Sequence, residues 1–308
     1  MYSLWPWIVF IVFVLALLAL DLGVFNRRPH AIKFREAAAW SAFWVTLSLA
    51  FNVGIYWRSG AEPALQFFTS YLLEKSLSVD NIFLFALIFA SMGVDARHQH
   101  RVLFWGVVGA LVMRGVFIVA GVQLVRHFHS VLYVFGVFLL IMGVRLLLPQ
   151  KKKFDPSNSR MLRFARKLFP VSEGYVGGQF FTRCSGRVCA TPLLLVLIMI
   201  EVADLTFAMD SIPAVFAVTQ DPFIIFTSNV LAILGLRSLY FLLARAMTRF
   251  HYLHPALAVI LILIGGRMLL AHWVQMPTVF ALLAIVLVLG IAILASLLTR
   301  RRAARNLS

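Results

Sequence analysis

Charged residues are scarce in this chain: they make up 13% of its 308 residues, and only 12 residues are acidic. About a quarter of a typical soluble protein is charged. Hydrophobic residues make up 62% and recur in stretches of about twenty, the length that a bilayer core of about 30 Å requires. A soluble protein with buried core helices is disfavoured, because no amphipathic helices remain to cover these stretches. The sequence therefore predicts an all-α membrane protein of about nine transmembrane helices.

Motifs of enzymes and cofactor sites are also missing. Cys184 and Cys189 are the only cysteines, and a lone C-x4-C lacks the second pair of ligands of a structural zinc site. No G-x-x-x-x-G-K-[ST] phosphate loop occurs, so direct coupling to ATP is not expected. No H-E-x-x-H occurs either, although paired aspartates alone leave an intramembrane protease open. We therefore expect neither an enzyme nor a bound cofactor.

The net charge of +16 is concentrated in alternate loops between the predicted spans. Basic residues crowd 26–37, 149–191 and the tail after Thr299, whereas the opposite loops carry little beyond Arg58 and Arg126 at their margins. This positive-inside bias predicts a multi-pass protein of the inner (plasma) membrane, with its N-terminus outside and its C-terminus in the cytoplasm. The bias accounts for the charge without a nucleic-acid partner. The sequence does not specify an oligomeric state.

Hydropathy and charge divide the chain into five segments. The predicted spans are residues 4–25, 38–57, 67–90, 102–125, 131–148, 192–218, 224–247, 253–271 and 279–299. The segments are the first two spans (1–66), a three-helix unit (67–148), a basic cytoplasmic loop (149–191), a second three-helix unit (192–271), and the last span with its basic tail (272–308).

The two three-helix units contain the same motifs in the same order. The matched motifs are Glu74-x5-Asp80 with Asp204-x5-Asp210, Arg114 and Arg126 with Arg237 and Arg249, and Gly143-Val144-Arg145 with Gly265-Gly266-Arg267. Because each unit has three spans, the second enters the membrane from the opposite side. The pattern predicts an inverted 3+3 repeat, an arrangement of secondary transporters whose substrate site lies near the midplane.

Several of the few acidic residues lie inside the predicted spans. They are Glu74, Asp80, Glu201, Asp204 and Asp210. A carboxylate at the centre of a transmembrane helix costs about 2.5–3.5 kcal/mol, so five isolated ones would cost about 12–18 kcal/mol. These groups must be protonated, paired, or facing water or a cation. Oxygen ligands suit hard divalent cations such as Mn²⁺, and Ser78, Asn81 and Ser211 add neutral oxygens, so we expect a shared cation site.

Helix geometry places two of these acids at similar depth. At 1.5 Å per residue, Asp80 lies about 20 Å into its span and Asp204 about 18 Å into its own. Asp210 lies about 240° around an ideal helix from Asp204, so a regular helix would not direct both side chains into the same cavity. Pro213 disrupts the turn before it, which predicts a bend or unwound turn at 209–213.

A network of structural ion pairs is the alternative to a cation site. Arg114 and Arg237 lie inside the fourth and seventh spans and can pair with two carboxylates, and Lys75 can take a third. At least two acids would still have no buried basic partner. Both interpretations stay open from the residues alone, and the excess of acids favours the cation site.

Longer strings resemble the TerC family of membrane proteins, closest to its Alx-like branch. They are EKSLSVDNIFLF, FFTR…ATPLLLVLIMIEVADLTFAMDSIPAVFAVTQDPFIIFTSN and LAILGLRSLYFLLA, and the likeness runs from 20–25 to 265–270. That family is associated with tellurite resistance, and its Alx-like members with manganese homeostasis. The resemblance implies Mn²⁺ export and metal-handling roles for the same five acids. His254 and Pro255 depart from an expected basic-aromatic pair, and Arg267 stands where Lys is usual.

The leading hypothesis is a secondary transporter that exports a divalent cation, Mn²⁺, across the lipid bilayer in exchange for protons. The alternative is a non-transporting membrane scaffold or partner in metal or tellurite resistance, in which the acids serve packing alone. An oxyanion pore built on Arg114 and Arg237 is disfavoured, because acids outnumber bases in the predicted site.

Overall fold

The computed structural model describes residues 4–20, 34–128, 130–148, 170–172, 174–184, 187–243, 252–271, 273 and 277–305. Across these ranges the chain is almost entirely helical. The helices are α1 Leu4–Leu20, α2 Phe34–Ser59, α3 Ala61–Met92, α4 Ala96–His127, α5 Val131–Leu147, α6 Pro192–Phe216, α7 Pro222–Leu234, α8 Leu236–Leu243, α9 Leu253–Leu270 and α10 Thr278–Arg305. Two strands, β1 Phe181–Cys184 and β2 Arg187–Ala190, form an antiparallel hairpin.

Several helices are long and apolar enough to cross a membrane. Among the described residues these are α2, α4, α6 and residues 278–296 of α10, and the pair α7 and α8, bent by 41°, adds a fifth span if it crosses as one unit. Helices α1, α5 and α9 are apolar but shorter. Large apolar side chains such as Phe280, Leu287 and Leu294 are exposed along α10, as expected of a surface that meets lipid. The all-α membrane class is confirmed in outline, and the count of nine spans stays a prediction.

The centre of the bundle is built from α3 and α4, each of which contacts α6 and both helices of the bent pair, α7 and α8. Helix α2 packs on α3 and α8, and α10 packs on α9 and α3. Helices α5 and α9 pair closely with each other at the side of this centre. The acidic helices α3 and α6 therefore contribute to the centre of the bundle, although some of their apolar side chains, such as Phe83 and Met209, are exposed.

Short connections set the helix directions. Helix α3 ends at Gly93, whose left-handed φ of 64° suits a residue without a side chain, and the amides of Gly93 and Val94 bond back to the last turn. Asp95 then caps α4 by accepting a hydrogen bond from the amide of Arg97 at 3.0 Å. Such tight turns force α3 and α4 to run antiparallel.

Helices α5 and α9 approach each other closely because small residues lie at two points of their contact. A Cβ added to Gly265 would lie 2.7 Å from the carbonyl oxygen of Gly136, and one added to Gly143 would lie 2.9 Å from that of Ala258. The backbones therefore touch at two points, as in membrane helix pairs built on small residues. In the predicted repeat, Gly136 matches Ala258 and Gly143 matches Gly265. Each of the two contacts, Gly136 with Gly265 and Gly143 with Ala258, therefore joins one residue of the first matched pair to one residue of the second.

We expect Gly265→Ala to lower the free energy of unfolding by about 1–3 kcal/mol, because the added methyl must push two backbones apart. The measurement is detergent-induced unfolding in mixed micelles, followed by circular dichroism. Gly266→Ala is the matched control, since a Cβ there meets no atom within 4 Å. Equal stability of the two variants would contradict a close approach of α5 and α9.

A small hairpin lies within the loop 149–191 of a chain predicted to be all-α. In it Phe181 pairs with Ala190 and Cys184 with Arg187, and the Tyr175 hydroxyl donates to the carbonyl of Met92 at 2.7 Å. The described part of the loop is thus attached to the end of α3. The basic stretch 151–169 and Arg249 lie outside the described residues.

Candidate cation-binding site

Arg114, on α4, lies at the centre of a buried ion-pair cluster that joins α3, α4 and α6. Its Nη1 donates to Glu74 Oε2 at 2.8 Å, and its Nε and Nη2 donate to the two oxygens of Asp204 at 3.2 Å each. The three residues are only 1–2% exposed. The paired bonds to Asp204 have the two-pronged geometry that favours arginine over lysine.

Two neutral side chains complete the cluster. Ser211 Oγ accepts from Arg114 Nη1 at 3.2 Å, and Asn229 Oδ1 accepts from the same nitrogen at 3.4 Å. Asn229 Nδ2 donates to Glu74 Oε1 at 2.7 Å. Sequence analysis identified Ser211 but missed Asn229, on α7. An amide within an apolar span is itself a signal, because a polar group in the membrane interior needs a partner.

The cluster joins positions that match in the predicted repeat. Helix α3 begins at Ala61, six residues before the predicted span, because the helix extends beyond its apolar stretch and accommodates Pro63 in its first turn. Glu74 therefore lies about 20 Å along α3, and Asp204 about 18 Å along α6. Glu74, which matches Asp204 in the predicted repeat, meets Asp204 across Arg114, and the place of Asp80 in a shared cation site stays a prediction.

Glu201 lies one turn before Asp204 and adds a third carboxylate beside the cluster. Its Oε2 is buried and accepts no hydrogen bond from the described part of the chain. The carboxylate occupies the space next to Gly109 of α4, where an added Cβ would overlap both carboxylate oxygens. Sequence analysis missed Gly109, since a glycine in a membrane helix does not reveal which side chain lies against it.

Asp210 does not reach the Arg114 cluster. Helix α6 runs without interruption from Pro192 to Phe216, with Pro213 inside it, so the predicted break does not form as an unwound turn at 209–213. Without that break Asp210 stays on another face, where it is half-buried and interacts electrostatically with Arg145. The interruption of this half of the bundle comes instead at Gly235, between α7 and α8.

The predicted site residues of α3 beyond Glu74 have separate environments. Asp80 is half-buried and is not a partner of Arg114. Asn81 is 2% exposed, and its Oδ1 accepts no hydrogen bond from any described residue. Ser78 donates to the backbone carbonyl of Glu74 at 2.6 Å. Across the described ranges no three His, Cys, Asp or Glu side chains are grouped closely enough to hold a metal ion in this conformation.

Lys75 caps the broken helix and is not bonded to a carboxylate of the described residues. Its Nζ donates to the carbonyl of Ala232 at 2.9 Å, one of the last carbonyls of α7, which have no helical partner beyond the break. A Cβ added to Gly235 would lie 2.6 Å from this nitrogen, so the glycine leaves room for the ammonium. The expectation that Lys75 pairs with an acid is wrong here.

Arg237, on α8, lines a small cavity together with Asp204. The cavity also includes Gly106 and Ala110 of α4, and its volume is about 10 Å³. A single water needs about 10–15 Å³. The cavity therefore offers room for no more than one small occupant beside Asp204.

Comparison with known proteins agrees with this architecture. The model of the integral membrane protein TerC family matches residues 59–304. The chain belongs to the TerC family. An uncharacterized membrane protein of Myxococcus xanthus is 51% identical over 297 residues, which are 96% of this chain and 93% of that protein. A membrane protein of Rickettsia bellii is 39% identical, with 96% of this chain and 97% of that protein covered.

Another TerC relative has a name that proposes a role. It is a protein of Escherichia coli K12 named as a candidate membrane-bound redox modulator, Alx, and it is 45% identical over 285 residues, 90% of this chain and 89% of that protein. No solved structure matches the chain. The comparisons establish this TerC protein as a multi-pass membrane protein.

Proposed function

We propose that this protein is a transporter that exports a divalent cation, Mn²⁺ in the first instance, from the cytoplasm in exchange for protons. The observation that carries the proposal is the excess of buried negative charge around Arg114. Glu74 and Asp204 pair with Arg114, and the carboxylate of Glu201 lies one turn before Asp204, beside Gly109. Even with Arg237 beside Asp204 counted, one negative charge is left over when all three are ionised. A cation or a proton that binds there removes the cost of that charge.

Exchange with protons follows from the membrane potential. Expelling a divalent ion against 100 mV, inside negative, costs about 4.6 kcal/mol at about 2.3 kcal/mol per charge. Inward movement of two protons cancels this electrical cost. Carboxylates provide oxygens for which a metal ion and protons compete. Glu201, whose Oε2 has no donor among the described residues, is the side chain best placed to take up either.

The internal repeat supports an alternating-access mechanism. We infer that residues 67–148 and 192–271 form an inverted 3+3 repeat in the plasma membrane, with the N-terminus outside. Two observations support the repeat: the reciprocal contacts of Gly136 with Gly265 and of Gly143 with Ala258, and the meeting of Glu74 with Asp204 at Arg114. In transporters built this way the substrate site lies where the repeats meet.

A non-transporting scaffold is the second candidate. The full engagement of Glu74 and Asp204 by Arg114 favours it, because two of the five intramembrane acids then already have a structural partner. This candidate predicts that the acids determine stability and have no effect on cation movement.

A thiol-based redox role, suggested by the name of the Alx relative, has little support in this chain. Its two cysteines are free, with Cys189 buried. A hydrogen bond with Cys189 raises the pKa of the Cys184 thiol, which disfavours the thiolate that redox exchange requires.

The test is Mn²⁺ flux in sealed vesicles that contain the purified protein, with and without a pH gradient. We expect the wild type to move Mn²⁺ when protons can flow in the opposite direction, and Asp80→Asn to move it more slowly. Absence of flux in every condition would remove the transport proposal and leave the scaffold candidate.

We expect Gly109→Ala to lower the apparent affinity for Mn²⁺ by about 10-fold, the lower end of the effect of disturbing a metal ligand's surroundings. The added methyl occupies the place of the Glu201 carboxylate and moves it out of the site. The measurement is the Mn²⁺ concentration that gives half-maximal flux. Gly115→Ala is the control on the same helix, since its Cβ meets Phe226 at an ordinary 3.6 Å. The same affinity in both variants would exclude Glu201 as a ligand.

A further inference from the structure

A crevice of about 390 Å³ opens between α1, α2 and the start of α7. Its walls are mostly apolar and include the rings of Phe10, Phe51 and Phe223. The volume falls within the range of about 300–1,000 Å³ that is typical of small-molecule sites. None of the carboxylates around Arg114 lines it, so the crevice is separate from the site described above and independent of the transport proposal.

One end of the crevice is basic and interfacial. Arg58, in the last turn of α2, lines it beside Ser59, and makes no ion pair or side-chain hydrogen bond with any described residue. Trp5 also lines the crevice and is 66% exposed, and the neighbouring Trp57 is 82% exposed. Tryptophan concentrates at the boundary between membrane and water. The crevice therefore runs from the level of the lipid headgroups into the apolar layer.

We propose that this crevice binds the acyl chain of an anionic phospholipid, with the lipid phosphate on Arg58. The aromatic walls match an apolar chain, and a guanidinium with no ion pair or side-chain hydrogen bond to the described residues matches a phosphate, which it can hold through two hydrogen bonds. A lipid satisfies both features at once because its charged and apolar parts lie at the same two levels as Arg58 and the rings. The bilayer also supplies this ligand at the mouth of the crevice.

Gly54 provides a direct way to block the crevice. It lines the cavity, and a Cβ added there meets no atom within 4 Å, so Gly54→Phe places a ring in the crevice without a backbone clash. Gly290→Phe is the matched control on α10, because a Cβ there also meets no atom within 4 Å and the residue does not line the crevice. Arg126→Gln, an exposed arginine of α4, is the control for Arg58→Gln.

The experiment is native mass spectrometry of the full-length protein released from detergent, titrated with phosphatidylglycerol or with phosphatidylcholine of the same chains. We expect one phosphatidylglycerol to bind about 5-fold more tightly than phosphatidylcholine, the effect of one basic residue near an anionic lipid. Arg58→Gln should remove this preference, and Gly54→Phe should weaken binding of both lipids by about 10-fold or more.

Three results would overturn the proposal. They are equal binding of the two lipids by the wild type, an unchanged preference in Arg58→Gln, and wild-type binding by Gly54→Phe. The thermal midpoint of each variant shows whether it is folded. If Gly54→Phe is not, the smaller Gly54→Leu replaces it in the same titration.

Discussion

Replacement of Arg114 by methionine is expected to lower the free energy of unfolding by about 3–5 kcal/mol, the effect of removing one partner from a buried ion pair. Arg114 is the basic group that bonds both Glu74 and Asp204. Without it two carboxylates remain 1–2% exposed. Among the described residues, Glu74 keeps only the neutral Asn229 as a hydrogen-bond donor. Asp204 keeps only Arg237 across a small cavity, which leaves one buried charge uncompensated. Methionine has a similar length and keeps most of the apolar contacts, so the effect reports the lost charge.

Detergent-induced unfolding in mixed micelles measures this change. Arg126→Met, at an exposed position of the same helix, should alter stability by less than about 0.5 kcal/mol. The triple variant Glu74→Gln, Arg114→Met, Asp204→Asn should recover most of the loss, because removing all three charges leaves no uncompensated carboxylate. A loss of less than about 1 kcal/mol in Arg114→Met would mean that the two carboxylates are not ionised together in the folded protein.

Glu74→Gln separates the transport and scaffold functions, and it is expected to reduce Mn²⁺ flux by about 10–100-fold or more, since loss of a ligand exceeds the effect of disturbing its surroundings. The fold should tolerate the change. Arg114 keeps its two bonds to Asp204, and the glutamine oxygen can still accept from Asn229, as Glu74 Oε1 does. Stability should therefore stay within about 1 kcal/mol of the wild type.

Flux in vesicles and unfolding in micelles should be measured on the same preparation. Asp95→Asn is the control for loss of a carboxylate, because Asp95 is an exposed helix cap and asparagine caps equally well. Full flux in Glu74→Gln would exclude Glu74 as a ligand and favour the scaffold. Loss of flux with the fold intact is the result that a purely structural role of Glu74 does not produce.

The helices of this protein are predictable from its sequence because the bilayer imposes a simple rule of length and hydrophobicity. Each predicted span overlaps one helix of the described residues, except 224–247, which overlaps the two helices α7 and α8. The same rule does not predict where a helix begins outside its apolar part. It locates the apolar part of α3 and not its start at Ala61, so depths counted from residue 67 place Glu74 too close to the end of the helix. Counting from Ala61 places Glu74 at about the depth of Asp204, which it meets across Arg114.

The partners of the buried charges are less predictable than their presence. The cost of a charge in the membrane interior identifies Glu74, Asp204 and Arg114 as residues that need partners, but it does not say which helix faces meet. Asn229 enters the cluster because α7 crosses beside α3. Gly109 matters because it lies against Glu201. Both depend on how the helices pack, and no local pattern encodes that.

Two consecutive residues of α3, Glu74 and Lys75, bond to different parts of the bundle, so a movement of α3 affects both bonds. Glu74 bonds Arg114, while Lys75 bonds the carbonyl of Ala232 at the break before α8. Because the two side chains share one rigid stretch of helix, a rotation of α3 that withdraws Glu74 from Arg114 also displaces the ammonium from Ala232. The bond of Lys75 to the bent helix and the bond of Glu74 to Arg114 then break together, in a single motion of one helix.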